Sequence, residues 1–166
     1  KSRKNLRING STTVCLDYKQ TNPSLLYAMM GLEPPITDCY LIAGLEEYRA
    51  AIKKIFNAML FVKNPLKQYP DEVKELLSDT DIRLKEIQNL IIQKNIIISK
   101  YFYTGIGYNL QFYESEILIT VLNQLNQNNI IALPIHDAII VAIEHQSIAT
   151  EVMQNVYKEK MGVGIN

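Results

Sequence analysis

Two aspartates and one row of cations are the side chains in this sequence whose types and spacing could do chemistry. Asp17 closes Thr12-Thr13-Val14-Cys15-Leu16-Asp17-Tyr18, a run rich in β-branched residues, and Asp137 follows His136 inside the otherwise apolar run from Leu133 to Val141. Charge does not sit in such a run without a use or a partner. Arg49, Lys53, Asn57 and Phe61 recur every fourth residue, so on a helix they share one ladder. Two carboxylates on separate strands, brought side by side in one sheet, can hold two divalent ions about 3.5–4 Å apart that clamp the attacking and leaving oxygens of a phosphoryl centre. Hard carboxylate oxygens suit Mg2+, with Mn2+ as an alternative. Arg and Lys on a helix face suit the polyphosphate of a nucleotide. Each feature also has a plainer reading: a solvated loop aspartate, a buried strand whose His136 and Asp137 satisfy each other, and a solvated helix face.

The elements that must position these groups follow from periodicity. Asn9-Gly10 is a turn dipeptide, and the alternation that follows makes Thr12–Tyr18 a strand with Thr13, Cys15 and Asp17 on one face. A short helix is expected next, with Asn22 as its N-cap, Pro23 in its first position and Gly31 as its stop. Leu45 to Val62 carries an apolar stripe of Tyr48, Ile52, Ile55, Phe56 and Met59 at helical spacing. After the break at Pro65 to Pro70, a short helix over 71–78 and a long one over 81–103 are expected, the latter with Leu84, Ile87, Leu90, Ile91 and Ile98 inward. Tyr101, Tyr103, Tyr108 and Tyr113 gather around Gly105-Ile106-Gly107, as a base-stacking platform or as ordinary aromatic packing. Those glycines follow a helix and lack a third, so they do not make a dinucleotide fingerprint. A helix over 109–127 exposes Gln111, Glu114 and Ser115. Two strands, 130–135 and 138–143, then flank His136-Asp137 as a hairpin, and a helix over 147–161 with Ile148, Val152, Met153 and Val156 inward closes the chain.

At 166 residues, nearly half of them apolar, the chain can bury one sizeable core. The expectation is an α+β fold in one domain, 1–166: a small antiparallel palm-like sheet with helices packed on one face and a helical finger-like insertion at about 45–105. Seventeen basic residues balance seventeen acidic ones, which excludes a global basic field for nucleic acid, although Lys1, Arg3, Lys4 and Arg7 make a local basic arm. Two cysteines without zinc-ligand spacing point away from a disulfide framework and toward a reducing, cytoplasmic setting. No apolar run reaches membrane-spanning length. Because the chain begins at Lys1, an upstream segment or a partner subunit is expected to supply further parts.

The set of motifs resembles the palm of family A DNA polymerases, a scheme shared by single-subunit phage-type RNA polymerases. Asp17-Tyr18-Lys19-Gln20 is similar to motif A, Arg49-x3-Lys53 with Phe61 to motif B, and Ile135-His136-Asp137 to motif C; Leu110-Gln111 with Glu114 and Ser115 is loosely similar to the helix before motif C. The resemblance runs from Asp17 to about Met161. It implies a replicative nucleotidyltransferase in which Asp17 and Asp137 bind two Mg2+ ions and Arg49 and Lys53 contact the triphosphate. It further implies that Asn57, Phe61, Gln20 and Asn22 lie at the nucleotide site and His136 beside the primer end, with a nucleoside triphosphate and a primer-template nucleic acid as partners. Four positions depart from the pattern. Asn22 stands where a sugar-sensing Glu is usual, Phe61 replaces a tyrosine, Val62 a glycine, and Ala138 an acidic residue. Thumb and exonuclease regions are absent, so a non-catalytic palm relative that binds nucleic acid or a replication partner, and a metal-dependent phosphodiesterase, are the alternatives.

Overall fold

The computed structural model describes residues 5 to 165. Lys1, Arg3 and Lys4 of the basic arm lie outside them, while Arg7 opens the first strand. The fold is α+β. Pro35–Leu110 forms one compact unit, and the chain before and after it forms another.

In the unit built from the two chain ends, β1 (Arg7–Ile8) turns into β2 (Ser11–Asp17) through Asn9 and Gly10, both at positive φ. That is the backbone an Asn-Gly hairpin turn provides. The strand β1 was not apparent in the polar opening of the sequence. After α1 (Thr21–Ala28), the unit resumes within α5 (Gly107–Gln127) and continues through β3 (Ala132–Ile135) and β4 (Ala138–Ala142), then a 3-10 turn at Ile143–His145 and α6 (Gln146–Met161). The four strands form an antiparallel sheet in the order β1-β2-β4-β3. β4 is buried at every position, as a central strand of Ile and Val should be, and fully burying each such side chain is worth roughly 1.5–3 kcal/mol. Pro134 sits in β3, an edge strand that can spare a ladder donor. Packing of α6 on β2 and β4 closes the core.

Two expectations here are corrected. The first helix is led by Gln20, which adopts a left-handed backbone (φ 52°), and it begins at Thr21, so Asn22 lies inside the first turn and does not cap it. In α6 the buried face is Ala149, Met153, Val156 and Tyr157, whereas Ile148 is exposed. That face is turned away from the one drawn through Ile148 because α6 presents its Ala149 side to the sheet.

In the unit Pro35–Leu110, a 3-10 turn at Glu46–Tyr48 leads into α2 (Arg49–Phe61), which packs on α3 (Val73–Leu76) and α4 (Leu84–Lys94). Ala51, Ile52, Ile55, Phe56, Met59 and Leu60 are its buried face. Phe56 meets Tyr40 and Phe102 edge-on, with ring centroids 5.1 and 5.0 Å away, the geometry aromatic quadrupoles favour. The expected long helix over 81–103 is interrupted. α4 ends at Lys94, and a 3-10 segment, Ile96–Tyr101, follows. The cause is Asn95, which is buried and donates its side-chain amide to the carbonyls of Ile91 and Cys39. A side chain that satisfies the backbone this way competes with helix continuation.

Candidate functional site

The pairing of β2 with β4 sets the geometry of the carboxylates. Asp17 lies directly opposite Ala138, and Ile135 opposite Ala138 on the other side, so His136-Asp137 is a two-residue hairpin turn at the sheet end where β2 also finishes. One cross-strand step and one peptide step separate the α-carbons of Asp17 and Asp137, which limits them to about 9 Å apart. Both side chains are exposed. The reading of one buried strand whose His136 and Asp137 satisfy each other does not survive this, since both residues are outside the strands and exposed.

His136 carries the turn at φ 52°. Hairpin turns of two residues need a positive φ at their first central residue, and glycine or asparagine is the usual occupant. An imidazole-bearing residue there holds a strained backbone, of a kind that clusters at functional positions. The end of β2 is fixed from the other side: the Tyr18 hydroxyl donates to the Met153 carbonyl of α6 at 2.7 Å, and the Tyr18 ring lies 5.5 Å from that of Tyr157. At the far end of β2, Ser11 donates to Glu144 at 2.7 Å. Asp17 therefore projects from a strand anchored at both ends.

Three hollows surround these residues. Gln111, Glu114, Ser115 and Leu118 of α5 line an open one of about 300 Å3 with His136 and Asp137. A small enclosed one, about 10 Å3, lies among Tyr18, Thr21, Glu114, Ile117, Leu118, Asp137 and Tyr157. Asp17 lines a third, about 170 Å3, with Cys15, Tyr18, Thr150, Met153 and Gln154 among its neighbours. Tyr18 thus borders both the Asp17 hollow and one Asp137 hollow. Glu114 joins Asp137 as a second carboxylate on the hairpin side, and Gln111, Glu114 and Ser115, which the sequence marked as exposed, line the same hollow as His136.

As a donor set, Asp17 and Asp137 supply hard oxygens from two adjacent strand ends. Mg2+ is commonly held by one or two carboxylates, with water and substrate phosphate oxygens completing its octahedron; the oxygens of Asp17 and Asp137 are donors of that kind, and the two residues line separate hollows. Among the described residues no three His, Cys, Asp or Glu side chains converge as a metal cage. Cys39 is no candidate for chemistry. It is buried, and burial, with Asp38 adding, pushes its thiol up to about 11. Cys15 is exposed and free, on the strand face of Asp17.

The remaining residues singled out from the sequence lie on two elements. Gln20 and Asn22 stand at the start of α1. Arg49, Lys53, Asn57 and Phe61 all lie on α2, in the unit Pro35–Leu110. There the Arg49 guanidinium carbon and the Lys53 ammonium lie 5.5 and 5.8 Å from the centroid of the Tyr40 ring, within range of its negative face. Arg49 Nε donates to Asp38 Oδ2 at 2.6 Å. Phe61 packs edge-on with Tyr108, centroids 5.3 Å apart, and against Gly107. The tyrosines near Gly105 take separate roles: Tyr103 donates to Gln88 at 2.9 Å, while Tyr108 is mostly exposed. Sequence reasoning missed Asp38, Tyr40 and Tyr157; an acid eleven residues before Arg49 carries no periodic signal, and Tyr157 is signalled only by its place beside Val156 on α6. No described helix is long and apolar enough to cross a membrane. Comparison with protein-family models, with curated proteins and with solved structures finds no match to this chain.

Proposed function

We propose that this chain is a polymerase-like nucleotidyltransferase palm that transfers a phosphoryl group with two divalent ions held by Asp17 and Asp137. The observation that carries the reading is the β2–β4 register, which brings two exposed carboxylates from distant parts of the sequence to one end of one sheet. Mg2+, when bound there, supplies positive charge against the phosphoryl oxygens and acidifies the attacking hydroxyl. The chain's own residues do the rest. Asp17 and Asp137 bind as oxygen donors; the Tyr18–Met153 hydrogen bond and the tight hairpin turn hold them in place. His136, on the open hollow with Gln111, Glu114 and Ser115, contacts the primer end. The polymerase resemblance assigns the triphosphate to Arg49 and Lys53, and both cations are presented together on the Tyr40 ring.

The test is extension of a labelled primer on a template, with Mg2+ or Mn2+ and either ribo- or deoxyribonucleoside triphosphates. Asp17→Asn and Asp137→Asn should each lower the rate by about 100-fold or more, the scale of losing a group that stabilises transition-state charge, with the circular dichroism spectrum unchanged. Full activity in either variant would remove the site assignment. Shortening of the oligonucleotide in place of extension would assign the same carboxylates to a phosphodiesterase that activates water, and no change of the oligonucleotide under any condition would leave a non-catalytic relative.

A further inference from the structure

The contact between Arg49 and Asp38 uses one side of the guanidinium. Asp38 Oδ2 accepts from Nε at 2.6 Å, while its other oxygen, Oδ1, accepts from the backbone N–H of Tyr40 at 2.8 Å. Tyr40, almost fully buried, is the residue whose ring face lies under both Arg49 and Lys53. Carboxylate, ring and guanidinium therefore close a small loop. Among the described residues, neither the terminal Nη groups of Arg49 nor the Lys53 ammonium forms a hydrogen bond to protein. An arginine whose function ended at Asp38 would most simply offer its Nη fork to the carboxylate, since fork-to-fork pairing is the stronger arrangement. Here the fork is left over.

We propose that Asp38 is a positioning residue that fixes Arg49 by its Nε, so that the Nη fork and the Lys53 ammonium face a polyphosphate together. The proposal rests on the reading of Arg49 and Lys53 as polyphosphate contacts and adds how they are held. Two cations one helical turn apart repel each other, and a long free arginine loses conformational freedom when it binds. The Tyr40 face offsets the first cost. Asp38 removes most of the second, because the side chain is ordered before the anion arrives. The alternative role for a carboxylate at this place is as a competitor, which would weaken anion binding by its charge. The two roles differ in sign.

Binding of inorganic tripolyphosphate to the full 166-residue chain, followed by titration calorimetry without metal, separates them. Asp38→Ala should weaken the affinity about three- to tenfold, the cost of ordering one long side chain on binding. Asp38→Asn, whose amide oxygen still accepts from Nε, should recover part of that loss. Tighter or unchanged binding in Asp38→Ala overturns the proposal, because it is what a competing charge or a bystander gives; if the alanine variant does not fold, Asp38→Ser, whose shorter side chain also gives up the Nε contact, is read in the same way. Unchanged affinity in Arg49→Ala removes the polyphosphate assignment and this proposal with it. The carboxylate assignment is read separately, by primer extension with Asp17→Asn, so its failure is distinguishable from that of this proposal.

Discussion

The strained turn at His136 gives a prediction whose size can be worked out. With φ at 52°, the β-carbon crowds the neighbouring carbonyl, which costs an L residue roughly 1–2 kcal/mol. Glycine removes the crowding but brings a more flexible unfolded chain, worth roughly 0.5–1 kcal/mol in the other direction. His136→Gly should therefore stabilise the fold by about 0.5–1 kcal/mol. At a urea dependence of about 2 kcal/mol/M, the unfolding midpoint moves up by about 0.3–0.5 M at constant slope. His136→Ala is the control, because it loses the same imidazole and keeps the β-carbon, so its midpoint should stay near that of the parent. A glycine midpoint equal to or below that of alanine would refute the strain argument. Activity should move the other way. Both variants lose the imidazole, but only glycine loosens the turn that fixes Asp137 opposite the end of β2, so primer extension should fall further in His136→Gly than in His136→Ala.

Two further perturbations address the packing behind the site. The Tyr157 hydroxyl is buried and has no hydrogen-bond partner among the described residues, and such a group costs about 1–3 kcal/mol in lost hydration, so Tyr157→Phe should raise the melting temperature by a few degrees; a lower one would show that the hydroxyl is bonded. Burial also holds that hydroxyl protonated above the ordinary tyrosine range, so the unfolded chain gives up its proton first as pH rises past 10; the stability present below that pH is lost above it, and Tyr157→Phe should show a shallower fall in urea midpoint between pH 9 and 11. At Gly107 an added β-carbon would come 2.8 Å from the Phe61 ring, so Gly107→Ala should destabilise by about 1–3 kcal/mol despite alanine's better helix propensity. Adding Phe61→Ala should cancel most of the clash, and additive losses would place it elsewhere.

How much of this was legible in the sequence depended on how far away the deciding partner lies. The strand that ends in Asp17, the hairpin at His136-Asp137 and the buried face of α2 follow from local period and turn chemistry, and the fold has all three. Asn22 is a good cap by type, yet Gln20 leads the helix through its own left-handed backbone, a choice that turns on how the chain leaves β2 and not on propensity. Across Asn95 the apolar spacing from Ile91 to Ile98 continues unbroken, and both are buried; what ends α4 is a hydrogen bond to Cys39, 56 residues away.

The candidate site divides along the same line. Residue type and strand period sufficed to name Asp17, Asp137, Arg49 and Lys53 as groups able to do chemistry, because a carboxylate in an apolar run and a cation ladder are visible locally. The surroundings of three of them are set by groups of ordinary appearance: Tyr18, next to Asp17, bonded to Met153; Asp38 bonded to Arg49; and Tyr40 beneath Arg49 and Lys53. An aspartate in a loop after two prolines carries no periodic signal, and its partner lies on a helix that begins eleven residues later. The same contrast bears on function, since a short aspartate at a strand end is placed by the backbone that carries it, whereas an arginine that must clamp an anion needs its long side chain ordered first. Asp38 is therefore where substitution should weaken anion binding while both candidate metal-binding carboxylates stay in place.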